Sequence, residues 1–459
     1  MLSSPPINVR PEEIEAHEKR ADFTACVIGC DEVGLYHSIL FAEAGFHAIC
    51  ADLNPTATAC VSKGKTPFLT NDLESALRRH LKSGQLTVSA DINSAVSCSS
   101  IVVVAKLAEV DGKKSVDYSK IEKALKKVGS SLRQGSLVII VRLVGIGTME
   151  SLEETLENAS GLKTGTDFGL AYSPHLPIGS RELVRNADYV RVVAASDKES
   201  LSAASKIIEI ITKDFVKKLE SMKTAETAAL LDLAWNQVGI ALAYESALLC
   251  EKVGADFCEI SSIQRSEPKD SPAFHVQLDS LSHEKLSLLL EDAENLNIRL
   301  RCAAAASEVA RELPKHVVDL TRDALKSCGK TLRKAHVSVL GFSETANARG
   351  PAKGVVVEVL KSFEAKSVRV NLYDPYMSGD ALAESCGEFK KTLTEAVEGS
   401  DCILIFAAHD QFKRLNLSKL KALMKKPAAI VDLECILDPG KIEKEGFVYR
   451  GLGRGVWTK

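Results

Sequence analysis

The first place where residue types and spacing point to chemistry is the turn Gly29-Cys30-Asp31-Glu32-Val33-Gly34, in a chain of 459 residues. Its outer glycines match the spacing Gly-x-Gly-x-x-Gly, which links a strand to a helix and seats a pyrophosphate on the helix N-terminus. Free N–H groups and the helix dipole favour negative charge there. The middle glycine is replaced by Asp31, at the point where the backbone comes closest to the pyrophosphate. Asp31 adds bulk and a negative charge, and Glu32 adds a second. Repulsion of this kind costs on the order of 1–4 kcal/mol, so NAD is expected to bind weakly. Asp31 also suits the plain structural role of capping the helix. Asp52 lies 23 positions after Gly29, at the end of the next strand, where an acid that holds a ribose belongs. The cofactor-binding candidates are therefore Gly29, Asp31, Gly34 and Asp52.

Other reactive groups form no comparable pattern. The twelve cysteines include no Cys-x-x-Cys pair and no zinc spacing, so most are expected to be buried free thiols. There is no recognisable Ser-His-Asp context and no Gly-x-x-x-x-Gly-Lys phosphate loop. A formal net charge of −3 argues against nucleic acid as a partner, although a local basic pocket for a small phosphorylated ligand is compatible with it. The best apolar run, Ser136 to Gly147, is short and carries Arg142, so no membrane span is expected. The first twenty residues are polar and lack the apolar stretch of a secretory signal, which makes the cytoplasm the expected address.

The elements around the turn alternate. TACVIG reads as a strand, Asp31 to Ala44 as a helix and HAICAD as the next strand; IVVVA and the run from Leu137 to Val141 follow. Strands this apolar on both faces belong to a parallel sheet covered by helices. Thr224 to Val253 predicts one long helix of roughly 45 Å, apolar over much of its surface. Further helices are expected at 280–294, 301–311 and 315–327. From His336 the strand–helix alternation returns, and VLG with Asp374 parallels VIG with Asp52. The fold class expected is α/β, with two Rossmann-like doubly wound domains joined by a central all-helical dimerisation domain. The segments are a polar lead-in at 1–22, a dinucleotide-binding-type domain at 23–210, a helical domain at 211–330 and a nucleotide-sugar-binding-type domain at 331–459, with a ligand cleft expected between the two Rossmann-like domains.

Taken in this order, the chain resembles the nucleotide-sugar dehydrogenases of the UDP-glucose/GDP-mannose dehydrogenase family. The resemblance is carried by FGLAYSP at 168–174, by TAETAALLDLAWNQVGIALAYESALLCEKVGAD, by Asn347-Ala348-Arg349-Gly350-Pro351, and by ILIFAAHDQF, IVDL and YRGLGRG. It implies two NAD-dependent oxidations of a sugar alcohol to a carboxylate. In these a cysteine holds the intermediate, a lysine and an asparagine steady the oxyanion, and a glutamate handles water.

Carried over residue by residue, those roles are depleted. The lysine falls on Ala229 and the asparagine on Leu233, neither of which can donate a side-chain hydrogen bond. The glutamate falls on His175, which retains the chemistry of a base. The family's Ser-Thr falls on Arg142 and Leu143, ahead of Gly145, Ile146, Gly147 and Thr148, and its Pro-Thr-Pro falls on Lys106, Leu107 and Ala108. Between Ser261 and Arg301 there is no cysteine and no glycine, so the cysteine loop is missing. Cys258 and Cys302 flank the gap and read as core thiols; His275 and His283 lie within it and read as surface residues in preference to the alternative, a contribution to a new site.

The resemblance therefore implies a catalytically degenerate relative that binds a nucleotide or nucleotide sugar. Arg349 is the first candidate for anion recognition, and His409 and Arg454 are weaker ones. Partners would be a second copy of the chain through the central helix, or an active paralogue. The alternatives are an active NAD-dependent nucleotide-sugar 6-dehydrogenase with an unrecognised nucleophile, or one that makes a single two-electron oxidation and needs none, and a redox or cofactor-binding module.

Overall fold

Strand Thr24–Ile28 (β1) is a run of small and branched apolar residues, and its alternate side chains enter different cores. Ala25 and Val27 pack into one apolar cluster, Cys26 and Ile28 into another on the opposite face of the sheet. This two-sided burial is what a parallel sheet demands of its central strands. The computed structural model describes residues 7–66, 71–105, 109–110, 116–175, 190–264, 286–343, 346–347, 352, 354–377 and 387–455.

The first sheet continues with His47–Ala51 (β2), Leu86–Ser89 (β3), Ile101–Val104 (β4), Leu137–Ile140 (β5), Gly169–Tyr172 (β6), Val190–Ala195 (β7) and Phe215–Lys218 (β8). The strand order is β8-β7-β6-β5-β4-β1-β2-β3. The strands from β3 to β6 are parallel, β7 runs antiparallel to β6, and β8 is parallel to β7. The second sheet is built from His336–Leu340 (β9), Arg369–Tyr373 (β10), Glu388–Phe389 (β11), Cys402–Ile405 (β12), Ala429–Asp432 (β13) and Val448–Gly451 (β14). Its order is β11-β10-β9-β12-β13-β14, parallel throughout. Counted from the first strand of each, both sheets follow the doubly wound order 3-2-1-4-5-6. The α/β class with two Rossmann-like sheets is therefore as expected.

The chain divides into two units, 1–234 with 287–299, and 235–286 with 300–459. Helix Met222–Val253 (α3) has 32 residues, about 48 Å at the α-helical rise. One difference from expectation concerns Pro314. It divides the sequence pattern into two helices, yet Arg301–Ser327 is one helix (α6) with Pro314 inside it. Leu313, Pro314, Val317 and Val318 are all buried, and this packing outweighs the roughly 3 kcal/mol that an interior proline costs.

The polar segment ahead of β1 is packed. Ile7, Val9 and Ile14 are buried, and the Arg20 guanidinium donates to the carbonyls of Ile14, Glu15 and Ala44. Three apolar residues without a regular period give no signal in the sequence. Among the described residues, no helix is long and apolar enough to cross a membrane.

Candidate functional site

The glycine turn sits where β1 meets Glu32–Glu43 (α1). Gly29 has φ of 127°, a backbone region that favours glycine. A Cβ on Gly34 would lie 1.9 Å from the Gly29 carbonyl oxygen, so the turn closes only with glycine there. The Cys30 N–H donates to Asp52 Oδ2 at 2.8 Å, and the Asn54 N–H donates to Oδ1 at 3.0 Å. Asp52 thus braces the turn from the end of β2.

Asp31 caps α1: its Oδ1 accepts the Gly34 N–H at 3.0 Å. Its Oδ2 pairs with Arg142 Nη2 at 2.7 Å, and Arg142 Nε donates to the Ala105 carbonyl at 2.6 Å. Two positions singled out separately in the sequence, 111 residues apart, are therefore a single ion pair. The pair places a carboxylate and its counter-ion at the helix N-terminus. Burial pushes the Glu32 carboxyl upward and Asp31 adds to this, while the Arg142 charge pulls it down. Gly29, Gly34 and Asp52 fit a dinucleotide. The Asp31–Arg142 pair does not, because it holds a carboxylate where the pyrophosphate would rest.

A second cluster of free N–H groups lies at Gly145–Met149, where Thr148–Ser160 (α2) begins. It too is filled from within. Glu226 on α3 accepts the Gly147 and Met149 N–H groups, each at 2.7 Å. Asp292 on Ser287–Asn295 (α5) accepts the Ile146 N–H at 2.7 Å, and the Tyr118 hydroxyl meets the Gly145 N–H at 2.9 Å. Burial raises both carboxyls, partly offset by the N–H bonds each accepts. Sequence reasoning missed Glu226, although it stands three residues before Ala229. Asp292 has no local signal, because its partner is 146 residues away.

Ala229 and Leu233 are buried in α3, each 2% exposed. His175 is buried as well. Its Nδ1 faces Arg191 Nη1 at 3.1 Å, and Arg191 also pairs with Asp214 at 2.9 Å. Guanidinium only donates, so His175 accepts and is neutral. Burial, then His37, Arg191 and Arg142, hold it well below the ordinary histidine range. The neighbouring His37 is pushed down to about 3, mainly by burial. Such a sealed neutral ring is a poor base for activating water.

The thiols correct one expectation. Cys258 and Cys302 are not core thiols: Cys258 is disulfide-bonded to Cys435, and Cys302 is exposed. The inward stripe of α6 runs through Ala303, Ala306, Ser307 and Ala310, and this turns Cys302 outward. Cys258 lies in the first turn of Phe257–Gln264 (α4) and is bonded to Cys435 in the turn after β13. Most other described thiols are buried and free. Cys30 lies in the glycine turn, but its Sγ contacts Cys50 Sγ at 3.4 Å. That contact, then burial and the charges of Asp52 and Asp31, push its pKa far upward, so it stays a thiol rather than a nucleophilic thiolate.

The second unit repeats the bracing of the turn. Asp374, after β10, accepts the Phe342 and Ser343 N–H groups at 2.9 and 3.1 Å and the Tyr376 N–H at 2.9 Å. His409 is fully buried. Its Nδ1 accepts the Asn347 N–H at 2.8 Å, leaving Nε2 to face Asp374 Oδ2 at 3.2 Å and Ser343 Oγ at 3.3 Å. Burial raises the Asp374 carboxyl, but the His409 contact and the N–H bonds outweigh it and hold it below the usual range. Asp374 and Ser343 meet the same ring nitrogen, so this is not the relay of a nucleophilic triad. Arg454 grips Asp256 through Nε and Nη2 at 3.0 and 2.9 Å, and its Nη1 reaches the Leu437 carbonyl and the Tyr449 hydroxyl. Arg349, His275, His283, Lys106, Leu107 and Ala108 lie outside the described residues. Among the described residues, no cluster of metal-binding side chains occurs.

Two family models match this chain. Residues 23–212 match the NAD binding domain of the UDP-glucose/GDP-mannose dehydrogenase family, and residues 338–439 match its UDP binding domain. A UDP-N-acetyl-D-mannosamine dehydrogenase of Pyrococcus horikoshii is 27% identical over 441 residues, covering 94% of this chain and 99% of the relative. Another, from Methanocaldococcus jannaschii, is 27% identical over 439 residues, covering 94% and 96%. The solved structure of the UDP-D-ManNAc dehydrogenase from Pyrococcus horikoshii shares the fold, with a TM-score of 0.80 at 23% identity over 94% of this chain and 100% of that one.

Proposed function

The chain belongs to the UDP-glucose/GDP-mannose dehydrogenase family, and on that premise we propose that its ligand is a nucleotide sugar of the UDP-N-acetylmannosamine class. The observation that carries this reading is similarity from end to end. The relatives named as dehydrogenases of that sugar are matched over almost their whole length, through both the NAD binding and the UDP binding domain. In the second unit, Arg349 is the proposed anion contact. His409 and Arg454 are the weaker anion candidates; His409 holds the Asn347 N–H and Arg454 holds Asp256. The exposed apolar side chains of α3 support self-association through that helix.

For the fate of the ligand, the likeness to dehydrogenases supports NAD-linked oxidation of the sugar. A second reading, binding without the two-step oxidation, has its own support in the residues of the site. Asp31 fills the helix N-terminus, His175 is sealed against Arg191, and Ala229 and Leu233 donate nothing. The experiment that separates the readings incubates the purified chain with NAD and UDP-N-acetylmannosamine, UDP-glucose or GDP-mannose. NADH formation is followed at 340 nm, and melting temperature is measured in parallel. Sustained NADH formation supports dehydrogenation. Thermal stabilisation by the nucleotide sugar without NADH supports binding alone. Neither turnover nor stabilisation with any of these sugars would sink the proposed ligand class.

A further inference from the structure

A pocket of about 560 Å³ in the second unit gathers five positively charged side chains. Arg322, Lys326, Lys330, Arg333 and Lys366 line it, and no carboxylate does. Arg322 and Lys326 stand one turn apart on α6. Lys330 and Arg333 follow in the connection to β9, and Lys366 comes just after Gly354–Ala365 (α7). Two of the five have carboxylate partners nearby: Arg322 pairs with Asp319, and Lys330 with Asp401 at 2.8 Å. Lys326, Arg333 and Lys366 form no ion pair among the described residues. Three unneutralised cations therefore converge on one concave surface.

A cation near the last turn of a helix is ordinary, because it answers the negative end of the dipole. That accounts for Lys326 or Lys366 singly. It does not account for Arg333, or for the convergence of all five, since like charges one turn apart weaken a helix rather than support it. A cleft lined by one sign of charge focuses its field and concentrates the opposite ion. Guanidinium adds paired donors that match phosphoryl oxygens.

The pocket also lies at the wrong end of the sheet for the fold's usual ligand. Arg333 and Lys366 precede β9 and β10, whereas Gly341, Ser343 and Asp374 follow these strands. The five residues of β9 separate the two ends by about 16 Å. Doubly wound sheets bind nucleotides beyond the carboxyl ends of their strands. We propose that this basic pocket is a separate site for a small molecule carrying two or more phosphoryl groups. Its volume suits a small ligand rather than a macromolecular surface.

Calorimetric titration of the full chain with tripolyphosphate, ATP and inorganic phosphate tests this. Tripolyphosphate and ATP are expected to bind saturably and more tightly than phosphate, with affinity falling as salt is raised. Equal affinity for tripolyphosphate and ATP would mean that the phosphoryl chain alone is read; tighter ATP would mean that the nucleoside adds contacts. The triple variant Lys326→Ala/Arg333→Ala/Lys366→Ala is expected to lose on the order of a hundredfold in affinity for both, because each lost contact to phosphate removes about tenfold or less. Thermal stabilisation by the nucleotide sugar should persist in that variant. Arg333→Glu is the second variant, and its melting temperature establishes that it folds. Absence of saturable binding to wild-type protein, or wild-type affinity in both variants, overturns the proposal.

Discussion

Asp31 and Arg142 form an ion pair at the N-terminus of α1, where a dinucleotide's pyrophosphate is expected. The pair neutralises the charge that would otherwise repel a pyrophosphate, but it still occupies the seat. Asp31→Gly removes the carboxylate and frees Arg142 to meet a phosphate. NAD should then bind on the order of tenfold to a hundredfold more tightly by calorimetric titration. Unchanged affinity would show that Asp31 does not obstruct the site. His37 provides a test by pH. Its folded value of about 3 lies below the ordinary 6.5, so the fold favours the neutral ring. The stability this contributes is complete above about pH 6.5 and drains away as pH falls towards 3. By pH 4 the loss reaches about 3 kcal/mol. Urea unfolding of wild type and His37→Asn between pH 8 and pH 4 should show a difference that shifts by about that much. Parallel curves would mean the ring is not buried as described.

Two elements carry the next level of the argument, the turn into α1 and the helix α3. Gly34→Ala would press a methyl group into the Gly29 carbonyl, where backbone rather than a side chain would have to move. A loss of about 1–3 kcal/mol or more is expected, read as a fall in melting temperature. Helix α3 was legible in the sequence as long and apolar, but its partner was not. Leu231, Trp235, Leu242, Leu249 and Val253 are each more than half exposed, at spacings of four, seven, seven and four. That spacing draws one stripe along the helix. Such a stripe favours a second apolar surface over water, and the partner proposed for it is a second copy of the chain. Leu242→Arg with Leu249→Arg should shift the sedimentation coefficient to that of a monomer and leave the circular dichroism unchanged. An unaltered assembly would place the interface elsewhere.

Across the whole molecule, one strand order appears twice, and an acid after the second strand braces the turn in each case: Asp52 in the first unit, Asp374 in the second. A nucleotide sugar present at a hundredfold over its dissociation constant should raise unfolding free energy by about 2.7 kcal/mol. A chain whose melting temperature ignores every nucleotide sugar would have lost the family's ligand. The alternation of strands and helices, the glycine turn, the two acids and the family resemblance were all written locally. The alternation and the glycine turn depend on residues a few positions apart, whose backbone preferences and periodic burial act without distant partners, while the acids and the resemblance follow from spacing and order along the chain. The pairing of Asp31 with Arg142, the sealing of His175 by Arg191, the filling of the α2 N-terminus by Glu226 and Asp292, and the convergence of five cations were decided by the tertiary structure. Those contacts join residues remote in the chain, and a side chain's charge and hydrogen bonds take their meaning only from the neighbour that folding brings to it.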